Sequence, residues 1–310
     1  TALYWLETRA MGQWTLKLGS RYENQTLSPN TQSAYTSATS FIGGTPTQPG
    51  LADRNFGLFS YSGAIDWNYL PGYQLNLTYS QFARAPSADE LFIYGPHDAT
   101  ATFDVGSSVL QTEVSRNLEI AWKKTRGLLQ AQFGLYQNNI SNFIYGAMTG
   151  ATDQVSGYQI RQFTQGNAIL QGAEGQISIN PQNSAWSGRV FGDYSKGVFA
   201  DANLLPLQPA PRIGLAVKYK QAVWDIDINW VHASAQTNLA SFETYSTPAY
   251  NKIDANLTYK IRSGSTQLSL FLQGRNLLND DIRYSTTVET LRMYAPLAGR
   301  GILGGLRVVY

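Results

Sequence analysis

The sequence contains no cysteine, which excludes a disulfide framework and a thiolate metal site. It has only two histidines, so a metal site made of imidazoles alone is excluded as well. Charged residues make up 14% of the chain, against about 25% in a typical soluble domain. The net charge of +2 is too small to indicate a nucleic-acid partner. No run of about 18 apolar residues is present, which excludes a membrane-spanning helix.

Aromatic residues are abundant, at 13% of the chain, and apolar residues alternate with polar ones along many segments. In the last segment Tyr310, Val308 and Leu306 share one face, because strand side chains alternate. About 13 segments show this period of two, which a helix cannot satisfy. The alternation predicts two faces, with Trp122, Ile228 and Leu257 facing outward and Glu119, Asp227 and Asn256 facing inward.

The connections between these segments alternate in length. Short turns are predicted near residues 11–13, 71–73, 126–127, 181–185, 221–222 and 263–265, and long loops near residues 26–54, 85–114, 146–156, 200–210, 236–249 and 280–298. Segregated loop lengths and aromatics beside the short turns are typical of an outer-membrane β-barrel. The predicted lipid-interface aromatics are Trp14, Trp122, Trp186, Trp224 and Tyr310. A soluble β-sandwich would alternate too, but nothing would separate its loops by length.

A bacterial single-chain barrel has an even number of strands, whereas about 13 are predicted here. If the last strand ends at the periplasm, the first, near residues 2–10, begins at the extracellular end. The sequence also opens without a start Met or a secretion signal. We therefore expect further strands upstream of Thr1, in the same protein or in a companion chain, because lipid does not tolerate unpaired strand edges.

Three motifs resemble the TonB-dependent outer-membrane receptors. Residues 274–280 (GRNLLND) are similar to that family's penultimate-strand signature, and residues 294–300 (YAPLAGR) to its turn into the closing strand. Residues 204–212 (LLPLQPAPR) are similar to its proline-rich loop, with Leu207 where an arginine is common. The resemblance spans the chain and implies an all-β fold, a transmembrane antiparallel barrel of about 22 strands with a plugged lumen.

The resemblance also implies what surrounds the chain. Residues 1–310 would be the C-terminal part of the barrel domain, with the plug domain and about nine strands absent. The implied partners are outer-membrane lipid, the missing N-terminal half and, through that half, the TonB complex. The implied location is the outer membrane of a Gram-negative bacterium, and the implied activity is active uptake of a scarce nutrient.

One loop indicates a substrate. Residues 94–106 (YGPHDATATFDVG) are similar to a block of zinc-uptake receptors, and residues 82–92 (FARAPSADELF) resemble the Arg-Ala-Pro box of haem receptors. The second haem box would fall at residues 107–110, where only Leu110 is kept. Imidazole and carboxylate suit Zn²⁺, which needs three or four such ligands. The candidate metal ligands are His97, Asp98, Asp104 and Glu113.

Several alternatives stay open. His97 and Asp98 could act only as turn residues, and His232, in phase with Trp230, is expected to face lipid. Haem or a ferric siderophore is the alternative cargo, and a passive porin is the alternative transporter. No enzyme is predicted, because no Gly-x-Ser-x-Gly elbow is present and His97 is the sole candidate base. No cofactor is predicted, since zinc or haem would be a transported ligand.

Overall fold

The computed structural model describes residues 1–29, 41–182 and 184–310, without the side chain of Ser263. The described strands, in chain order, are β1 (Ala2–Met11), β2 (Trp14–Leu27), β3 (Phe41–Ile42), β4 (Arg54–Leu70), β5 (Tyr73–Arg84), β6 (Tyr94–His97), β7 (Thr102–Val105), β8 (Glu113–Lys124), β9 (Leu129–Asp153), β10 (Gln159–Ile179), β11 (Trp186–Phe199), β12 (Arg212–Lys220), β13 (Trp224–Ala233), β14 (Tyr250–Ser263), β15 (Thr266–Arg275) and β16 (Gly301–Val309). Two short helices, α1 (Ala88–Phe92) and α2 (Glu289–Arg292), lie in connections. Neither described helix is long and apolar enough to cross a membrane.

The described strands form one sheet. Thirteen strands follow one another as antiparallel neighbours, namely β1, β2, β4, β5 and β8 to β16. Of the other three, β3 pairs with β9, β7 pairs with β10, and β6 pairs with β7. The sequence-based prediction of about 13 neighbouring antiparallel strands is therefore confirmed.

The connections lie at two ends of the sheet, which we call the turn end and the loop end. At the turn end, β1 and β2 are joined by residues 12–13, and β4 and β5 by residues 71–72. At the loop end, residues 85–112 join β5 to β8, and residues 276–300 join β15 to β16. The predicted loop 26–54 and turn 181–185 fall partly on residues 30–40 and 183, outside the described part of the chain.

One predicted loop, near residues 146–156, is wrong. Strand β9 continues to Asp153, and β10 begins at Gln159. The Gly- and Thr-rich stretch after residue 146 still pairs with β10. The pairing there is irregular, with register shifts between Gly166 and Ala168 and between Gln159 and Arg161. These two strands therefore extend past the neighbouring strand β8 and make a tall wall at the loop end.

The sheet has two chemically different faces. The register places Trp122, Ile228 and Leu257 on one face, which we call the outer face, as predicted from the alternation. The opposite, inner face carries Glu119, Asp227 and Asn256 and these ion pairs: Lys17 with Asp66, Lys218 with Asp227, and Lys260 with Asp225. A sheet that is apolar on one side and charged on the other fits a barrel wall between lipid and a polar lumen.

Aromatic side chains stack along the outer face at the turn end. Trp14 stacks on Trp67 with ring centroids 5.1 Å apart, and the Nε1–H of Trp122 donates to the Tyr69 hydroxyl at 2.7 Å. Trp186 and Trp224 are at the turn-end starts of β11 and β13, where Trp224 packs on Tyr259 with ring centroids 4.5 Å apart. Contact of these rings with lipid stays a prediction.

The link into the last strand depends on asparagine. Asn276 and Asn279 adopt φ values of +45° and +57°, a region that asparagine tolerates better than most residues. The buried Asn276 amide donates to the Asp280 carbonyl at 3.0 Å and accepts from the Asp280 N–H at 3.1 Å. The GRNLLND segment is therefore a self-bonded turn that positions β16 beside β15.

Candidate ligand-binding site at the loop end

A hairpin of β6 and β7 lies against the tall β9–β10 wall. Strand β7 pairs in parallel with residues 159–162 of β10, and Phe103 and Val105 are completely buried with Ile160 beneath them. Beside the hairpin, Gly106 approaches α1 so closely that a Cβ would lie 2.6 Å from the Leu91 carbonyl carbon. Backbone pairing and burial together fix the segment predicted to carry the substrate ligands.

Asp104 joins this hairpin to the wall. Its carboxylate is 1% exposed and accepts a forked pair of hydrogen bonds from Arg161 of β10, including Nε at 2.9 Å. The hydroxyl of Thr102 donates to Oδ1 at 2.6 Å, and Nδ1 of His97 lies 3.0 Å from Oδ2. A bidentate guanidinium–carboxylate pair is strong and geometrically specific, so Asp104 both pins the hairpin and orients His97.

His97 is oriented but still accessible. Its side chain is 45% exposed, and Nδ1 also lies 3.1 Å from the Thr100 hydroxyl. A carboxylate can only accept, so the proton of the neutral ring is placed on Nδ1. Within the described chain the hydrogen bonds of the ring use Nδ1, which leaves Nε2 as the nitrogen for a ligand.

The other candidate ligands are engaged elsewhere. The Asp98 carboxylate accepts from the Tyr158 hydroxyl at 3.0 Å, and this hydrogen bond raises the pKa of Tyr158. Glu113 belongs to a separate cluster, where it bonds Arg84 at 3.1 Å and the Ile144 N–H at 2.8 Å. The structure therefore brings together His97 and Asp104, with Asp98 next in the chain, and places Glu113 apart. Among the described residues, no three His, Cys, Asp or Glu side chains converge on a metal-sized site.

The Arg-Ala-Pro segment holds the base of this loop. Arg84 bonds both Glu113 of β8 and Glu90 of α1, where Glu90 completes a capping box with Ser87. Burial lowers the pKa of Arg84, but its hydrogen bonds to Glu113 and Glu90 outweigh that effect and raise it. In this chain the resemblance to a haem box thus corresponds to an ion-pair network that orders α1.

Two distant loops meet above the inner face. The Thr290 hydroxyl of α2 donates to the carbonyl of Thr100 at the tip of the β6–β7 hairpin. Arg292, the last residue of α2, is 3% exposed and bonds Glu243 at 3.1 Å and the Tyr245 carbonyl at 2.7 Å. Residues 236–249 and 276–300 therefore form one block, which we call the clamp block, and it reaches the β6–β7 hairpin.

A cleft of about 340 Å³ opens beside the clamp block. Its chemistry comes from two cations and two phenols, Arg212, Arg283, Tyr250 and Tyr284. Burial is the largest influence on Tyr250 and raises its pKa, so the phenol stays neutral and can donate a hydrogen bond. Arg212 is already paired with Asp193, and Arg283 with Asp281, both at 3.0 Å. The phenols are therefore the donors that this lining offers to a ligand with oxygen acceptors.

His232 lies outside this site. It is on the outer face, with its ring 6.4 Å from Trp230 and Nδ1 3.1 Å from the Asn251 amide oxygen. The register thus agrees with the phase read from the sequence.

Sequence reasoning missed the residues that organise the site, namely Arg161, Thr100, Thr290, Arg292 and Glu243. Arg161 is 57 residues from Asp104, and Thr290 is 190 residues from Thr100. No spacing rule connects residues at such separations. No local signal marked Arg292 either, because five other charged residues lie within residues 280–300.

Comparison with known proteins identifies the family. Residues 1–277 match the family described as TonB dependent receptor-like, beta-barrel. The chain belongs to this family. A TonB-dependent receptor barrel accounts for the segregated loops and the two-faced sheet described above.

Solved structures with the same fold include several receptor-type transporters. The copper transporter OprC superposes with a TM-score of 0.77 at 18% identity, over 99% of this chain and 47% of that one. The ferric citrate transporter FecA gives 0.70 at 17% identity, over 99% and 44%. The FrpB iron transporter from Neisseria meningitidis, in its apoprotein form, gives 0.69 at 15% identity, over 99% and 45%. These similarities concern the fold, and this chain spans about half the length of those structures.

Proposed function

We propose that the chain is the C-terminal part of an outer-membrane receptor barrel that takes up a metal through TonB, with zinc as the first candidate. The observation that supports a metal is the His97 imidazole held by Asp104. Metal-binding histidines commonly donate the N–H of one ring nitrogen to a carboxylate, which leaves the other ring nitrogen free to bind the metal. The name of the copper transporter OprC, which shares the fold, agrees with metal uptake.

The remaining metal ligands would come from elsewhere. A free Zn²⁺ ion takes three or four protein ligands, whereas the described residues bring no three such donors together. His97 would then act with Asp98 released from Tyr158, with the plug and other strands of the complete receptor, or with ligands that arrive on the metal. The TonB complex would act through that other half of the receptor.

A chelated metal, such as haem or a ferric siderophore, is the second candidate. The cleft beside the clamp block favours it, because the Tyr250 and Tyr284 hydroxyls in its lining can donate hydrogen bonds to the oxygen acceptors of a chelate. A chelate brings its own ligands, so one imidazole such as His97 would suffice as the protein ligand.

The test replaces His97 with Ala in the complete receptor and measures uptake of zinc by cells that depend on it. If His97 binds the metal directly and contributes at least about 1.4 kcal/mol to binding, uptake should fall roughly tenfold or more. His232→Ala, on the outer face, is the matched control and should transport normally. Surface levels of the receptor should be unchanged, because His97 is half-exposed at the end of β6, outside the main wall of the sheet.

Other outcomes decide between the alternatives. Unchanged zinc uptake with reduced haem- or siderophore-dependent growth would replace zinc with a chelate as cargo. An unaltered phenotype in every uptake assay would make His97 a turn residue. Uptake that continues without TonB or a proton gradient would indicate a passive porin.

A further inference from the structure

The outer face of the sheet has an unusual charge distribution. On the described strands β2, β4, β5 and β8 to β16, below the register shifts of β9 and β10, alternation places no Asp or Glu on this face. Three basic residues do lie there: Lys124, Arg116 and Lys196. The edge strand β1 differs, since Glu7 and Arg9 share the face with Leu18 and Leu16 of β2.

These three cations occupy the two ends of the apolar band. Lys124 is at the turn end of β8, over the ring of Tyr73 at 5.6 Å. Arg116 and Lys196 each lie about 8–10 residues from the turn end of their strand, which is the length of a strand that crosses the hydrocarbon core. They therefore sit where the apolar band ends on the loop side.

Arg116 is held in place by neutral partners. Its Nε donates to the Gln81 side-chain oxygen and its Nη1 donates to the Ser141 hydroxyl, both at 3.1 Å. Its side chain is exposed, and among the described residues no carboxylate forms an ion pair with Arg116 or with Lys196. On the inner face, by contrast, Lys17, Lys218 and Lys260 are all paired with aspartates.

Polar and aromatic neighbours complete this surface. The rings of Tyr61 and Tyr79 pack just below Arg116 with centroids 6.2 Å apart. Gln137 pairs with Gln171, which pairs with Lys196, so all three lie in one row across the strands. Tyrosines with polar groups above them are typical of the water interface of a barrel. A fixed, exposed guanidinium without a carboxylate, at that height, is a donor for an anion from the lipid layer.

We propose that Arg116 and Lys196 bind phosphate groups of lipid headgroups in the outer leaflet. The proposal rests on the outer-membrane placement given under the proposed function. Arg116 is the fixed anchor, since Gln81 and Ser141 already hold the guanidinium. Lys196, three strands away, is a second point of attraction for the same lipid layer. This site is separate from the ligand site on the inner face.

The test compares lipid retention in nanodiscs of phosphatidylcholine that contain lipid A or its dephosphorylated form. Complete receptor is reconstituted, and the lipid that stays bound is counted by native mass spectrometry. Each basic residue near an anionic surface contributes enough to change binding about fivefold. Arg116→Gln should therefore retain lipid A about fivefold less well, and the double variant with Lys196→Gln about 30-fold less well.

Three controls define the result. Lys124→Gln, at the other end of the same strand, should retain lipid A within twofold of the original protein. Arg116→Lys keeps the charge and should retain more than Arg116→Gln. Inorganic phosphate should not displace the lipid, which separates a headgroup site from a site for free phosphate.

Full retention of lipid A by the double variant, or an equal loss in Lys124→Gln, would overturn the proposal. Equal retention of the dephosphorylated lipid would overturn it as well. A receptor that does not insert, judged by heat-modifiable migration on gels, would instead contradict the membrane placement and the lipid site with it. Loss of metal uptake in the His97 variant is independent of all these readouts.

Discussion

Replacing Arg292 with Ala should release the clamp block while the sheet stays intact. Arg292 is 3% exposed, and its guanidinium donates hydrogen bonds to Glu243 at 3.1 Å, to the Tyr245 carbonyl at 2.7 Å and to the Ser285 carbonyl at 2.9 Å. Removing one partner of a buried ion pair costs about 3–5 kcal/mol, because the other charge is left buried. Glu243 is as buried as Arg292, so the full range applies.

That cost predicts a loss of at least about 100-fold in hydrogen-exchange protection for residues 236–249 and 276–300. Hydrogen exchange with mass spectrometry should show normal protection in β13 and β14. Adding Glu243→Gln removes the unpaired charge and should restore part of the protection. Arg21→Ala, which breaks the exposed pair with Glu23, is the control and should change nothing in these loops. Unchanged protection in Arg292→Ala, or an equal loss across the strands, would refute the reasoning.

Two further predictions concern the β6–β7 hairpin. Gly106→Ala should displace the hairpin from α1, because the new Cβ would lie 2.6 Å from the Leu91 carbonyl carbon. Gly301→Ala is the control, since a Cβ there meets nothing within 4 Å. Residues 94–106 should exchange their amide hydrogens faster in Gly106→Ala and at the original rate in Gly301→Ala. Tyr158 should ionise above its ordinary pKa of 10.0, so its bond to Asp98 is present below pH 10 and is lost as the pH rises through the raised pKa. A difference absorbance titration against Tyr158→Phe measures this, and Asp98→Asn should bring the pKa back toward 10.0; the same pKa with and without Asp98 would contradict the assignment.

The sheet could be predicted from the sequence because strand periodicity is local. Trp122 and Glu119 lie on opposite faces for the simple reason that side chains alternate, and no long-range contact is needed to see it. The same rule placed His232 on the face of Trp230. It failed after residue 146, where small and polar residues hid the continuation of β9 that backbone pairing supports.

The site was less predictable because its contacts join distant segments. His97 and Asp104 were recognised as candidates from their shared loop, but Arg161, which fixes Asp104, comes from another hairpin. Glu113 lies in the same predicted loop as Asp104 and seemed an equally good metal ligand, but its carboxylate is paired with Arg84. Which carboxylate turns toward a ligand depends on the cation that reaches it, and the linear sequence does not contain that geometry.

The central claim is that the metal enters at the loop end, between the β6–β7 hairpin and the clamp block. It is tested most directly by measuring uptake while a covalent bridge holds these two parts together. The chain has no cysteine, so Thr100→Cys with Thr290→Cys provides the two thiols of this part of the receptor, at the contact between the hairpin and the clamp block. A short, cleavable bis-methanethiosulfonate reagent joins them on the cell surface, and radioactive zinc uptake is then followed. The account predicts background uptake in bridged cells and recovery after a reductant, with no effect of the reagent on either single-cysteine variant. Full zinc uptake in bridged receptors would contradict entry of the metal between these two parts.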